Sequence, residues 1–147
     1  MGTSHDYSQQ AMNTKLTKIE RLVLAVLEEA GEDDISALLN TIVRYEPADI
    51  ATVAKALRRL IESDLLRIEK AGDASSPPRK TLPRDESIDM TRELESLIQW
   101  SATDRLWVWP RSLPRAGVAL TDGGLSAARQ VLREDGWPQE IAQSDKH

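Results

Sequence analysis

The spacing of apolar residues predicts a mainly α-helical domain with a small antiparallel β-hairpin or sheet. Three observations carry this expectation: consecutive segments of helical periodicity from Lys15 to Ile61, a two-part strand signal at 65–70 and 115–121, and a final amphipathic segment that stops at Gly136. A chain of 147 residues has room for one sizeable core and is too short for two ordinary domains. The expected organisation is a disordered polar tail over 1–14, one domain over 15–136 with an inserted segment at about 72–114, and a C-terminal tail over 137–147.

In KLTKIERLVLAVLEEAG, residues Ile19, Leu22, Val23, Val26, Leu27 and Ala30 recur at three-and-four spacing as one buried stripe, and Gly31 is the stop. The spacing returns in DDISALLNTIVRYE at Ile35, Leu38, Leu39, Ile42 and Val43, with Asp33 or Asp34 placed to cap the free amides at the start. A break follows at Arg44, Tyr45 and Glu46. Pro47 then suits the first turn of a third helix, over 47–63, where its missing amide has no partner to lose. The buried stripe of that helix is Ile50, Val53, Ala54, Leu57, Leu60 and Ile61. Two helices joined by about three residues make a helix-turn-helix.

LLRIEK at 65–70 and RAGVALT at 115–121 are strands able to pair with each other. Thr121 caps a last helix, DGGLSAARQVLRED, with Leu125, Ala128, Val131 and Leu132 inward, Gly123 and Gly124 in the turn that enters it, and Gly136 as terminator.

LRRLIESDLLRIEKAG resembles the end of the recognition helix and the first wing strand of the winged-helix transcriptional regulators, the broad group that includes the MarR-like and PadR-like families. VALTDGGLSAARQVL resembles their second wing strand and closing helix. The resemblance covers roughly residues 15–71 and 115–135 and implies a winged helix-turn-helix and a DNA-binding transcriptional regulator; a homodimer is expected from the apolar residues Leu106–Trp109 and the stripe Met90, Leu94, Leu97 and Ile98. Where those families place glycine between helix and strand, this chain has Asp64, which tolerates the left-handed conformation better than most residues. Where they have a wing tip of a few residues, about forty lie between Gly72 and Pro114, so wing contacts do not carry over.

Within that insertion, AGDASSPPRKTLPRDES is an exposed loop, SIDMTRELESLIQW is a helix with Met90, Leu94, Leu97 and Ile98 on one side, and RLWVWP is a short strand. Trp107 and Trp109 alternate with Leu106 and Val108, so this strand is apolar on both faces. Either it completes the core of a chain that has no phenylalanine, or it joins Trp100 and the stripe of the 88–100 helix, Leu94, Leu97 and Ile98, in an interface with a second copy or another protein.

The absence of cysteine excludes disulfides and thiolate chemistry. The two histidines, His5 and His147, both lie in the tails, so no histidine triad, proton relay or metal site is expected in the domain, and no phosphate-cradling glycine loop occurs. The expectation is a non-enzyme without cofactor or metal. The longest unbroken apolar run, Leu22–Leu27, is far short of the roughly twenty residues a membrane span needs. With no leader-like stretch at the start, the expected location is cytoplasmic.

A net charge of −5 is not that of a protein that coats nucleic acid, yet the charge is segregated. Residues 31–49 hold five acids and one base, residues 50–70 five bases and three acids, and residues 105–120 three arginines and no acid. On the third helix, the face opposite the buried stripe carries Thr52, Lys55 and Arg59, flanked by Ala56 and Ser63 on one edge and Arg58 and Glu62 on the other. Such a face suits a major groove, with replacement of Lys55 and Arg59 expected to leave folding intact. It equally suits solvent. Glu46 and Asp49 at the helix start repel phosphate if they face it and otherwise complement the helix dipole. Arg79, Lys80 and Arg84, with Arg111 and Arg115, are wing bases for phosphate or solvated loop charges. The expected partner is double-stranded DNA, and the alternative is a protein bound without DNA.

Overall fold

A computed structural model of the chain describes residues 16–30, 32–70, 80–110, 113 and 115–138. In chain order the elements are α1 (Lys18–Ala30), β1 (Glu32–Asp34), α2 (Ile35–Tyr45), α3 (Ile50–Glu62), β2 (Leu66–Lys70), β3 (Lys80–Thr81), α4 (Arg84–Leu97), β4 (Gln99–Ser101), β5 (Leu106–Val108), β6 (Ala116–Leu120) and α5 (Asp122–Asp135). The fold is mainly helical with a small antiparallel sheet, as the periodicities predict. Among the described residues no helix is long and apolar enough to cross a membrane.

Helix α1 starts in a reciprocal cap. The Thr17 hydroxyl accepts from the Glu20 amide at 3.1 Å, and the Glu20 carboxylate accepts from the Thr17 amide at 3.0 Å. Helices α2, α3 and α5 all contact α1, so its buried surface is wider than one stripe: Leu24 and Ala25 turn inward while Ala30 is exposed. Arg21 donates from Nε and one terminal nitrogen to Asp135 and from that nitrogen to Glu134, at 2.7 to 3.0 Å. This fork ties α1 to α5 and holds both carboxyls below the usual carboxylate range.

Several boundaries differ from the sequence reading. Asp34 is the residue before α2 but makes no side-chain cap; its carboxylate lies 3.4 Å from Arg115 instead. Helix α2 runs on through Arg44 to Tyr45. Helix α3 starts at Ile50 and not at Pro47, because Asp49 accepts the Thr52 amide at 2.8 Å and so sets the cap. Helix α4 begins at Arg84, four residues earlier than the apolar stripe indicates, with Asp85 and Glu86 in its first turn complementing the dipole. Gln99 and Trp100 lie in a strand and not in that helix.

The main sheet has the order β1-β6-β2-β3, all neighbours antiparallel. The expected pairing of the two strand signals is present, with Leu66 opposite Leu120 and Lys70 opposite Ala116. Strands β1 and β3 have no sequence signal. Glu-Asp-Asp is a poor strand former, and it is held extended by pairing with Gly117–Ala119.

The turn from α3 into β2 determines how the sheet meets the helices. Asp64 adopts the left-handed conformation at φ 62°, as expected of the residue in the glycine position. The Leu65 amide donates to the Leu60 carbonyl and the Asp64 amide to the Ile61 carbonyl, closing the helix. Thr121 stitches the far side of the sheet to this turn: its hydroxyl donates to the Asp64 carbonyl at 2.6 Å and its amide to the Leu65 carbonyl at 3.1 Å. The same hydroxyl caps α5 by accepting from the Gly124 amide. Gly136, at φ 74°, ends that helix as expected.

The approach is so close that a Cβ on Gly124 would lie 1.9 Å from the Leu65 carbonyl oxygen, whereas one on Gly123 makes only ordinary contacts at 3.8 Å. Gly124→Ala is therefore expected to destabilise by about 1–3 kcal/mol or more through forced backbone movement. Gly123→Ala, a helical position with space, should be neutral or stabilising by up to about 1 kcal/mol. Denaturant unfolding of both variants checks this, and equal effects would show that the close approach does not constrain the fold.

Candidate functional site

The outward strip of α3 is Ala51, Thr52, Lys55, Arg59 and Glu62, all exposed, with Arg58 half-buried beside it. Ala56, placed on the edge of that strip by the sequence, is buried. The cause is α4, which packs along the length of α3 and is its most extensively contacted helix. The packing face of α4 is Ser87, Thr91 and Leu94, followed by buried Ile98, one residue every helical turn. The two hydroxyls are satisfied within their own segment, Thr91 donating to the Ile88 carbonyl at 2.6 Å and Ser87 to the Leu82 carbonyl at 3.4 Å. Opposite an alanine, such small residues let two backbones come close.

Leu94 and Ile98 are thus core residues of the single chain, and Leu97 is half-buried, so this stripe is not an exposed interface. What α4 presents to solvent is acidic: Asp85, Glu86, Asp89, Glu93 and Glu95 against Arg84 and Arg92.

Arg59 does not stand free on the α3 strip. Its Nε lies 2.9 Å from Oε2 of Glu20, a carboxylate only 2% exposed, while the arginine side chain keeps 48% exposure. Oε2 receives no aligned hydrogen bond, so charge and proximity hold the contact. The sequence reading places Arg59 on a free face; its contact with Glu20 gives replacement an expected cost in stability. The pair was legible in part: Glu20 sits at stripe spacing with Val23, Leu24 and Leu27, and a threonine three residues before it completes a capping signature.

The carboxylates at the start of α3 also have structural work. Glu46 pairs with Lys18 at 3.0 Å, and the Asp49 carboxyl is lowered by the hydrogen bond from Thr52. The wing bases are dispersed. Lys80 is exposed on β3 directly opposite Lys70, and Arg84 at the head of α4 lies 3.9 Å from Asp64. Arg115 is beside Asp34, and Arg79 and Arg111 lie outside the described residues.

A second feature is a two-stranded hairpin, β4 with β5, in which Trp100 sits opposite Trp107 with ring centroids 5.3 Å apart, edge to face. It is fastened to α2 by one side chain. The Asn40 amide donates to the Trp107 carbonyl at 2.9 Å and accepts from the Trp107 amide at 2.8 Å. Trp107 and Trp109 pack half-buried against the core without entering it, while Trp100 and Leu106 are exposed. Between α2 and this hairpin lies a groove of about 790 Å³, lined by Ala37, Arg44, Trp107, Trp109, Leu113 and Arg115 among others. A smaller cleft of about 240 Å³ between α1 and α5 is rimmed by charges already paired with each other, Lys18 with Glu46 and Arg21 with Asp135.

Among the described residues no cluster of acids or histidines has the makings of a metal site, and both histidines lie outside them. The chain matches no protein-family model, and neither a curated protein nor a solved structure is significantly similar to it.

The Glu20 contact generates a stability prediction. Arg59→Ala should cost about 1–3 kcal/mol, water taking up part of the loss at this half-exposed site, whereas Lys55→Ala should cost less than about 0.5 kcal/mol. Adding Glu20→Gln, which keeps the cap acceptor and removes the charge, should recover part of the Arg59→Ala loss. A double-mutant cycle in urea measures the coupling, and additive losses would show that the pair is incidental.

Proposed function

We propose that the chain is a winged-helix domain that works by binding another protein surface, not by chemistry on a substrate. The winged-helix reading is supported by the order helix, strand, two helices joined by the short segment 46–49, strand, strand, helix, with β6 between β1 and β2. Residues 80–110 elaborate the connection between β2 and β6, where that architecture has its wing.

The observation that carries the interaction role is the placement of α4. A major groove about 12 Å wide admits one helix of about 10–12 Å diameter. With a second helix packed on its flank, α3 belongs to a unit roughly 20 Å across. The flanking helix has five acids against two bases and would sit where phosphates run. Arg59 is engaged by Glu20, and among the described residues the exposed large apolar side chains all lie outside α3: Trp100 and Leu106 on the hairpin, Leu113 at the groove and Trp137 after α5.

Binding of double-stranded DNA through Thr52, Lys55 and Arg58 is the second reading. Lys55 is exposed and has no ion-pair partner among the described residues, and Lys70 faces Lys80 across a strand pair, a like-charge opposition that an anion would relieve. Titration of duplex DNA at several salt concentrations decides between the two. We expect affinity no better than the roughly 10⁻⁶ to 10⁻⁴ M of non-specific contact, unchanged by Lys55→Ala. Tighter, salt-dependent binding whose log–log salt slope falls by about 0.9 in Lys55→Ala would establish the DNA reading instead.

A further inference from the structure

Two surfaces of this chain are complementary in charge and have no partner within it. The first is the outward stripe of α4, where Asp85, Glu86 and Glu93 are exposed and make no ion pair among the described residues; Asp89, between them, is only 3.7 Å from Arg92. The second is the groove between α2 and the tryptophan hairpin. Arg44 on its α2 side is exposed and unpaired among the described residues, Arg115 at its end has a single long contact to Asp34, and Arg105 stands exposed in the adjoining hairpin turn. The groove is lined in part by apolar side chains, Trp107, Val108, Trp109 and Leu113, and in part by polar ones, Ser36, Thr41 and Asp34, whose carboxylate lies beside Arg115; Leu106 and Leu113 on its wall and Trp100 on the hairpin are exposed.

We propose that this groove receives the acidic face of α4 from a second copy of the chain, and that the exchange is mutual about a two-fold axis. The inference rests on the interaction-module reading and names its partner. The two surfaces are close in sequence, because α4 runs through buried Ile98 directly into β4. In a two-fold pair each contact is made twice, so a modest groove contributes two charge-complementary sites to one interface. The tryptophans and Leu113 supply burial, and the arginines set register against α4.

Sedimentation of the full chain tests the arrangement. At about 100 µM and about 0.1 M salt we expect a dimer, which should loosen at about 1 M salt as the screening length falls from about 10 Å to about 3 Å. Arg44→Glu alone, or Glu86→Arg with Glu93→Arg, should each weaken dimerisation by about tenfold or more through like-charge opposition, with an unfolding transition equal to wild type once the protein is diluted enough for both to be monomeric. Mixing the two variants is the discriminating step. A hetero-pair has matched charges at both contacts, so the mixture should form a 1:1 dimer that neither variant forms alone.

A wild-type monomer at that concentration, a dimer indifferent to both reversals, or a mixture that fails to associate overturns the proposal. If the chain is monomeric and also fails to bind duplex DNA, the module reading stands with a different protein as partner. Tight DNA binding by a charge-matched dimer overturns the module reading and leaves the dimer in place.

Discussion

The arrangement of this domain depends on one close approach, that of the first turn of α5 to the carbonyl of Leu65. Because Gly124 has no side chain, the end of α3, the start of β2, the end of β6 and the start of α5 meet at one point, where the Thr121 hydroxyl serves both sides. The connection between β2 and β6 leaves and returns at the other end of the same strand pair, where Lys70 lies opposite Ala116. A segment of some forty-five residues is thereby accommodated with its two ends fixed side by side in a sheet. Loop closure adds only slowly with length, so a long elaboration here costs little more than a short wing.

What the elaboration does with its length follows from how it is attached. Helix α4 lies on α3 through Ser87, Thr91 and Leu94, so only part of that face is apolar, and the hairpin lies on α2 through one amide side chain and two half-buried tryptophans. Helices α1 and α5 are joined by an arginine fork as well as by aliphatic packing. The bases of the α3 face and of the wing serve different neighbours in the fold: Arg59 serves Glu20, Arg115 lies beside Asp34, and Arg84 is near Asp64.

The parts legible in the sequence were those whose cause is local. Three-and-four spacing located the helices, the Thr121 cap and the Gly136 stop fixed the last one, and the tolerance of aspartate for positive φ anticipated Asp64. Pairing of residues 66–70 with 116–120 was also readable, since both runs are short and β-prone. The parts that were not legible depend on distant partners. Glu-Asp-Asp becomes a strand because β6 offers it a ladder, and Ser87 and Thr91 are buried because α4 packs on α3. Helix α3 starts at Ile50 through a competition between two local signals, Pro47 and Asp49, in which the carboxylate with an amide to bind prevails. The candidate surface was the least legible feature, because α4 and α3 are brought together by an insertion whose path periodicity alone does not specify.

The attachment of the hairpin to α2 has a further consequence. Asn40 grips the peptide group of Trp107 and not its indole, so the anchor is indifferent to which side chain stands at position 107. The side chain that lines the groove and the bond that holds the strand in place are chemically independent. Exchanging a side chain along β5 therefore forfeits the packing that this side chain makes but leaves the Asn40 bonds in place, and the domain offers a mounting for recognition sequences whose bracket persists when the bait is altered.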